Sequence, residues 1–149
     1  MSQDRIYRTI REGARWFLRV ALAAGFLSAV ADRMGLWGPP GIENVAWGAW
    51  EPFIDYVGIL NPWASDSLHA TLAWVVTVAE LVIAGEILVG WQLRWFAFAA
   101  GALLLIYALA MAVALGVKAP LDYSVFAAAA GAFFLAVMAE QPSKSTGHS

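Results

Sequence analysis

Residues 68–91 read LHATLAWVVTVAELVIAGEILVGW, and the fold turns on whether this run lies in lipid or in water. A membrane-crossing helix needs about 20 mainly apolar residues, and the run supplies them. It also carries two carboxylates, Glu80 and Glu86. In an aqueous loop these acids would cost nothing. In a span each needs a partner, because a charge left in hydrocarbon costs about 2.5–3.5 kcal/mol even on the milder insertion scales.

The rest of the chain decides for lipid. Of its 149 residues 61% are hydrophobic, 13% are charged and eight are Trp, with a mean hydropathy of +0.67, too apolar for a soluble domain of this size. Runs at 16–34, 93–117 and 121–139 are also long enough to cross a bilayer. With 68–91 they predict an all-α integral membrane four-helix bundle, one domain over 1–149 that ends in a polar tail at 140–149. The connections around Gln92 and at GVKAP are short and make antiparallel neighbours. Only the first connection is long.

Charge sets the orientation. Arg5, Arg8, Arg11, Arg15 and Arg19 precede or open the first run, Arg94 follows the second and Lys144 follows the fourth, whereas the other side holds Arg33 and Lys118 among Glu43, Glu51, Asp55, Asp66 and Asp122. The positive-inside rule therefore puts both termini in the cytoplasm and the long loop outside, in a multi-pass protein of a bacterial-type cytoplasmic membrane. The SAVA before Asp32 has the form of a signal-peptide cleavage site. Arg19 interrupts the apolar stretch ahead of it, so residues 1–31 are expected to be retained as an anchor. Arg8, Arg11, Arg15 and Arg19 share one helical face, suited to anionic lipid headgroups or to a cytoplasmic partner.

The chain has no Cys and two His, which excludes disulfide, iron–sulfur and thiolate-zinc chemistry and a bis-His haem. No metal site and no tightly bound cofactor are expected, and nothing in the sequence points to nucleic acid. Small residues four apart, such as Ala97 and Gly101 or Ala127 and Gly131, suit close helix packing in lipid.

The loop from Gly35 to Ser67 far exceeds the usual connection of about 4–6 residues. Trp47, Trp50, Ile54 and Val57 fall on one helical face and Glu51 and Asp55 on another, which predicts a short interfacial helix starting or bending near Glu51, since Pro52 fits best in a first turn. Its aromatic residues form either an interfacial belt or a lid over a flat apolar ligand such as a quinone ring.

Counting 1.5 Å per residue puts Glu80 roughly 16 Å from the cytoplasmic end, about the bilayer midplane, level with Ser28 and Tyr107, while Arg19 approaches the level of Glu86. Glu80 shares its face with His69, Ala73, Thr77 and Ala84, and Glu86 points about 120° away, so the two acids cannot converge on one substrate. Glu86 is expected to form a structural ion pair with Arg19 or Arg94. Glu80 has no cation at its level in this count and is expected to keep its proton, hydrogen-bonding Ser28 or Tyr107; these three are the candidates for proton handling. Asp32, Arg33, His69, Asp122 and Tyr123 gather at the outer rim, either pairing with one another or lining, with Trp47 and Trp50, the mouth of a ligand pocket.

Glu80 followed by Leu88, Gly90 and, after a tight turn, Arg94 resembles the second-helix signature of the DoxX family of small four-helix membrane proteins, and ADRMGLWG at 31–38 and PLDYSVF at 120–126 resemble a branch of it. Ile83, Ala84 and Gly85 stand where the family usually has paired glycines, and Glu86 where it has an aliphatic residue. The resemblance implies a quinone-associated or redox-accessory membrane subunit, working with membrane lipid and with protein partners or further copies of itself. The alternative is a non-enzymatic scaffold that docks partners through its outer loop and basic amino terminus. Only Glu80, Gly90 and Arg94 carry over as motif positions, and no catalytic residue comes with them.

Overall fold

The computed structural model describes residues 3–139; the polar tail at 140–149 lies outside them. Among the described residues the regular structure is helix alone: α1 Gln3–Arg33, α2 Trp50–Leu60, α3 Asp66–Val89, α4 Leu93–Leu115, α5 Lys118–Asp122 and α6 Val125–Ala139. Three of these, α1, α3 and α4, are long and apolar enough to cross a membrane.

The burial pattern is that of a protein built for lipid. The residues turned inward are small: Ala73 and Ala84 on α3, Ala97, Ala100 and Ala108 on α4 and Ala132 on α6 are all 0% exposed, whereas Val113 is 89% exposed and Phe17 77%. Water would reward the opposite choice. In lipid, large apolar side chains face the acyl chains at no cost, and small ones let helix backbones approach. The inner face of α1 follows helical spacing through Arg19, Leu22, Ala23, Phe26, Val30 and Arg33.

Helix α1 packs on α3, α3 on α4, α4 most extensively on α6, and α6 back on α1. Two apolar clusters fill the space inside. One joins Leu22, Phe26, Ile83, Ile87, Leu93 and Leu135. The other joins Phe53 and Val57 of α2 to Ala73 of α3. Between their levels on α3 lie Thr77 and Glu80.

Helix α3 ends where Gly90 takes the left-handed conformation at φ 82° and returns its N–H to the Glu86 carbonyl. The last carbonyls are met from α1: Arg19 donates through Nε to Ile87 and through Nη2 to Leu88, each at 2.8 Å. A Cβ on Gly90 would lie 2.6 Å from Arg19 Nη2. Gly90→Ala therefore meets both a left-handed backbone and a blocked space. It is expected to lower the unfolding free energy by about 1–2 kcal/mol, measured by denaturation in bicelles.

Two boundaries differ from the sequence expectation. The first helix already runs from Gln3, well before the apolar run, because residues 3–15 hold no proline and a single glycine, Gly13, is tolerated. The last one does not start at Leu121: Pro120 sits in the first turn of the short α5, Ser124 takes φ 54°, and α6 begins only at Val125. Its 15 residues span about 22 Å. Helix α2 starts at Trp50 and accommodates Pro52 in its first turn, with Trp50, Phe53, Ile54 and Val57 turned onto α3 and Glu51 and Asp55 exposed.

Candidate functional site

The buried polar groups converge on one place. Arg33 closes α1 with its side chain 2% exposed, turned inward rather than to the rim. Its Nη1 donates to Thr77 Oγ1 at 2.7 Å and lies 2.8 Å from Glu80 Oε2. The Thr77 hydroxyl donates to the Ala73 carbonyl at 2.8 Å, leaving an oxygen lone pair for the guanidinium. The Tyr107 hydroxyl, on α4, donates to Glu80 Oε1 at 2.8 Å. Three helices thus meet at one carboxylate.

A fourth element roofs it. The Arg33 guanidinium lies 3.8 Å from the Phe53 ring centroid and 5.2 Å from that of Trp47, a cation–π arrangement that is worth most where water is excluded. Trp47 in turn meets Phe53 edge-on at 5.0 Å and Tyr56 at 5.6 Å, and Trp50 meets Trp74 at a tilt with centroids 4.4 Å apart. Burial pushes the Tyr56 phenol above its ordinary range, so it stays protonated. Two atoms of the cluster are left over: Arg33 Nε and Glu80 Oε2 are buried without a hydrogen bond. Oε2 keeps its charge contact with Nη1 at 2.8 Å.

Asp32, the neighbour of Arg33, does something different. Its Oδ1 accepts the Trp47 and Gly48 N–H groups at 2.8 and 2.9 Å and its Oδ2 accepts Ala46 N–H at 2.9 Å. Such a three-donor nest requires a tight backbone, and Gly48 supplies it at φ 67°. A Cβ there would fall 2.5 Å from Pro40 N and 2.6 Å from the Pro39 carbonyl carbon. The loop is thereby tied to the end of α1, and Trp37 Nε1 adds a bond to the Ser28 carbonyl at 3.1 Å.

The sequence candidates sort accordingly. Glu80 and Tyr107 come together, but Ser28 is exposed on the outward face of α1 and contributes only its carbonyl; equal depth did not mean equal face. Glu80 has a cationic partner after all, because Arg33 lies on the same side of α1 as Phe26 and Val30 and reaches inward. Arg19 turns Nε and Nη2 to the Ile87 and Leu88 carbonyls, Glu86 Oε2 is buried, and Arg94 lies over Trp95 at 4.8 Å among its contacts. At the rim, Asp122 pairs with Lys118 and Tyr123 is 76% exposed, so neither joins the cluster. His69 stays at the α2–α3 turn with Nε2 3.1 Å from the Asn61 carbonyl. Thr77 and Phe53 complete the site. Phe53 was legible as the residue between Trp50 and Val57 on the apolar face of α2.

Among the described residues no three His, Asp or Glu side chains gather to hold a metal ion. Two surface hollows stand out: an apolar groove of about 550 Å³ along the α3–α4 seam, from Trp74 to Val82 with Phe96 and Ala99, and one of about 350 Å³ between α4 and α6 at Trp95, Phe98 and Phe133. Glu80 lines neither. No protein-family model matches the chain, and neither a curated protein nor a solved structure matches it.

Proposed function

We propose that the chain is a DoxX-like subunit of a bacterial-type cytoplasmic membrane, crossing it four times through α1, α3, α4 and α6 with both termini in the cytoplasm, and that it serves a redox system as a quinone-associated accessory subunit. The observation that carries this is the Arg33–Glu80–Tyr107 cluster. An acid, a phenol and a guanidinium at membrane depth under an aromatic roof are the groups that hold a quinone ring by its oxygens and exchange its protons, and intramembrane ionisable residues mark functional sites by default. Arg33 Nε, buried and without a hydrogen bond, would offer such a ring a donor beside the carboxylate that Arg33 Nη1 approaches at 2.8 Å. When bound, a quinone would supply the electron chemistry; this chain would orient it and accept a proton at the Glu80 carboxylate.

A second reading is favoured by a separate observation. Neither surface hollow is lined by Glu80, and the cluster together with Asp32 ties the outer loop to the helices, as a non-enzymatic scaffold requires. One experiment separates the two. In lipid extracts of the gently purified protein, mass spectrometry is expected to find quinone in stoichiometric amount, reduced at least fivefold in Glu80→Gln and in the milder Tyr107→Phe. Absence of quinone from the unaltered protein would reject the first reading and leave the scaffold, whose outer-loop deletion should then lose protein partners alone.

A further inference from the structure

We infer that the hollow between α4 and α6 at the level of Arg94 binds one anionic phospholipid, its phosphate held by Arg94 and the start of an acyl chain lying against Phe98 and Phe133. The site is separate from the Glu80 cluster and stands whether or not a quinone binds there. Its shape follows from side-chain sizes on the two helices. Gly101 on α4 leaves room for the Phe133 ring, since a Cβ there would lie 2.7 Å from Phe133 Cδ1, and that ring meets Phe98 edge-on with centroids 5.4 Å apart. About one turn further along, α6 presents only Ala136, too small to fill the space beside α4. The result is an opening of about 350 Å³ lined by Arg94, Trp95, Phe98, Phe133, Ala136 and Val137.

Depth and charge decide the occupant. The exposed Trp16, Trp91 and Trp95 mark the interfacial level that Trp favours. Arg94 stands at that level and Phe98 about 6 Å deeper. The hollow therefore runs from the headgroup zone, about 5–8 Å deep in each leaflet, to the first carbons of the acyl chains. A free phosphate would use only the cation and a neutral chain only the apolar walls. A phospholipid of net negative charge uses both, whereas the quaternary ammonium of a zwitterionic headgroup would set a second cation beside the first. Basic pockets between membrane helices take anionic headgroups for this reason. Among the described residues no acid lines the hollow. Arg94 lies over the Trp95 ring at 4.8 Å, whose face steadies the guanidinium. A guanidinium carries five N–H donors, so Arg94 keeps its contacts within the chain and still forks onto two phosphate oxygens.

The test is native mass spectrometry of the full chain released from mixed micelles that hold phosphatidylglycerol and phosphatidylcholine of the same acyl chains in equal amount. One phosphatidylglycerol per chain is expected, preferred about fivefold over phosphatidylcholine, the effect of a single basic residue beside an anionic headgroup. The preference should vanish in Arg94→Gln. It should persist in Arg94→Lys, in Arg8→Gln, which removes an equal charge away from the hollow, and in Glu140→Gln, which removes the acid that follows the α6 wall in sequence. Val137 is 59% exposed, so the bundle tolerates a larger side chain there. Val137→Trp fills the hollow and should lower phosphatidylglycerol binding about fivefold with Arg94 in place. Equal binding of the two lipids by the unaltered chain would overturn the inference. So would undiminished binding in Val137→Trp, or a preference lost in Arg8→Gln or Glu140→Gln. Val137→Trp and Arg8→Gln decide the matter even if Arg94→Gln fails to fold.

Discussion

Arg33→Met is expected to lower the unfolding free energy by about 3–5 kcal/mol, the usual cost of removing one partner of a buried ion pair. The loss comes less from the missing attraction than from what remains. Glu80 keeps the Tyr107 hydroxyl at 2.8 Å, but its second oxygen faces apolar surroundings with no positive charge in reach. Thr77 loses its donor, and Phe53 and Trp47 lose the guanidinium they cover. Denaturant titration in bicelles measures the change. A loss under 1 kcal/mol would mean that water or another cation reaches Glu80.

The second large effect is at Asp32. Asp32→Ala removes the acceptor of three backbone N–H groups, and hydrogen bonds to a charged group contribute about 1.5–3 kcal/mol each. Because a loosened loop can recover some of its donors from water, the expected loss is about 3 kcal/mol. Its signature is local: amide exchange should accelerate at Ala46, Trp47 and Gly48, while amides of α3 around Ala84 keep their protection. Asp32→Asn retains one acceptor oxygen and should fall between the two. Uniform acceleration across all helices would contradict the assignment of Asp32 to the loop alone.

Much of this was legible in the sequence. Hydropathy located α1, α3 and α4, and helical phase put Ala73, Thr77 and Glu80 on one inward face. Where the reading failed, it used one coordinate when two were needed. Ser28 has the depth of Glu80 but faces the other way. Arg33 sits at the rim by depth, yet helical phase aligns it with Phe26 and Val30, and its side chain is long enough to reach inward. The division of labour between Asp32 and Arg33 could not be read from adjacency, because it depends on where the loop returns. That return is set by the left-handed Gly48 against Pro39 and Pro40, a long-range contact. The late start of α6 follows from the backbone of Ser124, and serine does not announce a positive φ as glycine would.

The account rests on the ion pair that joins the end of α1 to the middle of α3, and a double-mutant cycle tests it most directly. Arg33→Met and Glu80→Met are made singly and together, and unfolding is measured in bicelles. Each single change should cost about 3–5 kcal/mol and the double change much less than their sum, because the paired methionines bury no lone charge, giving a coupling of at least about 2 kcal/mol. Additive losses would show that the two residues do not sense each other and would contradict the buried pair.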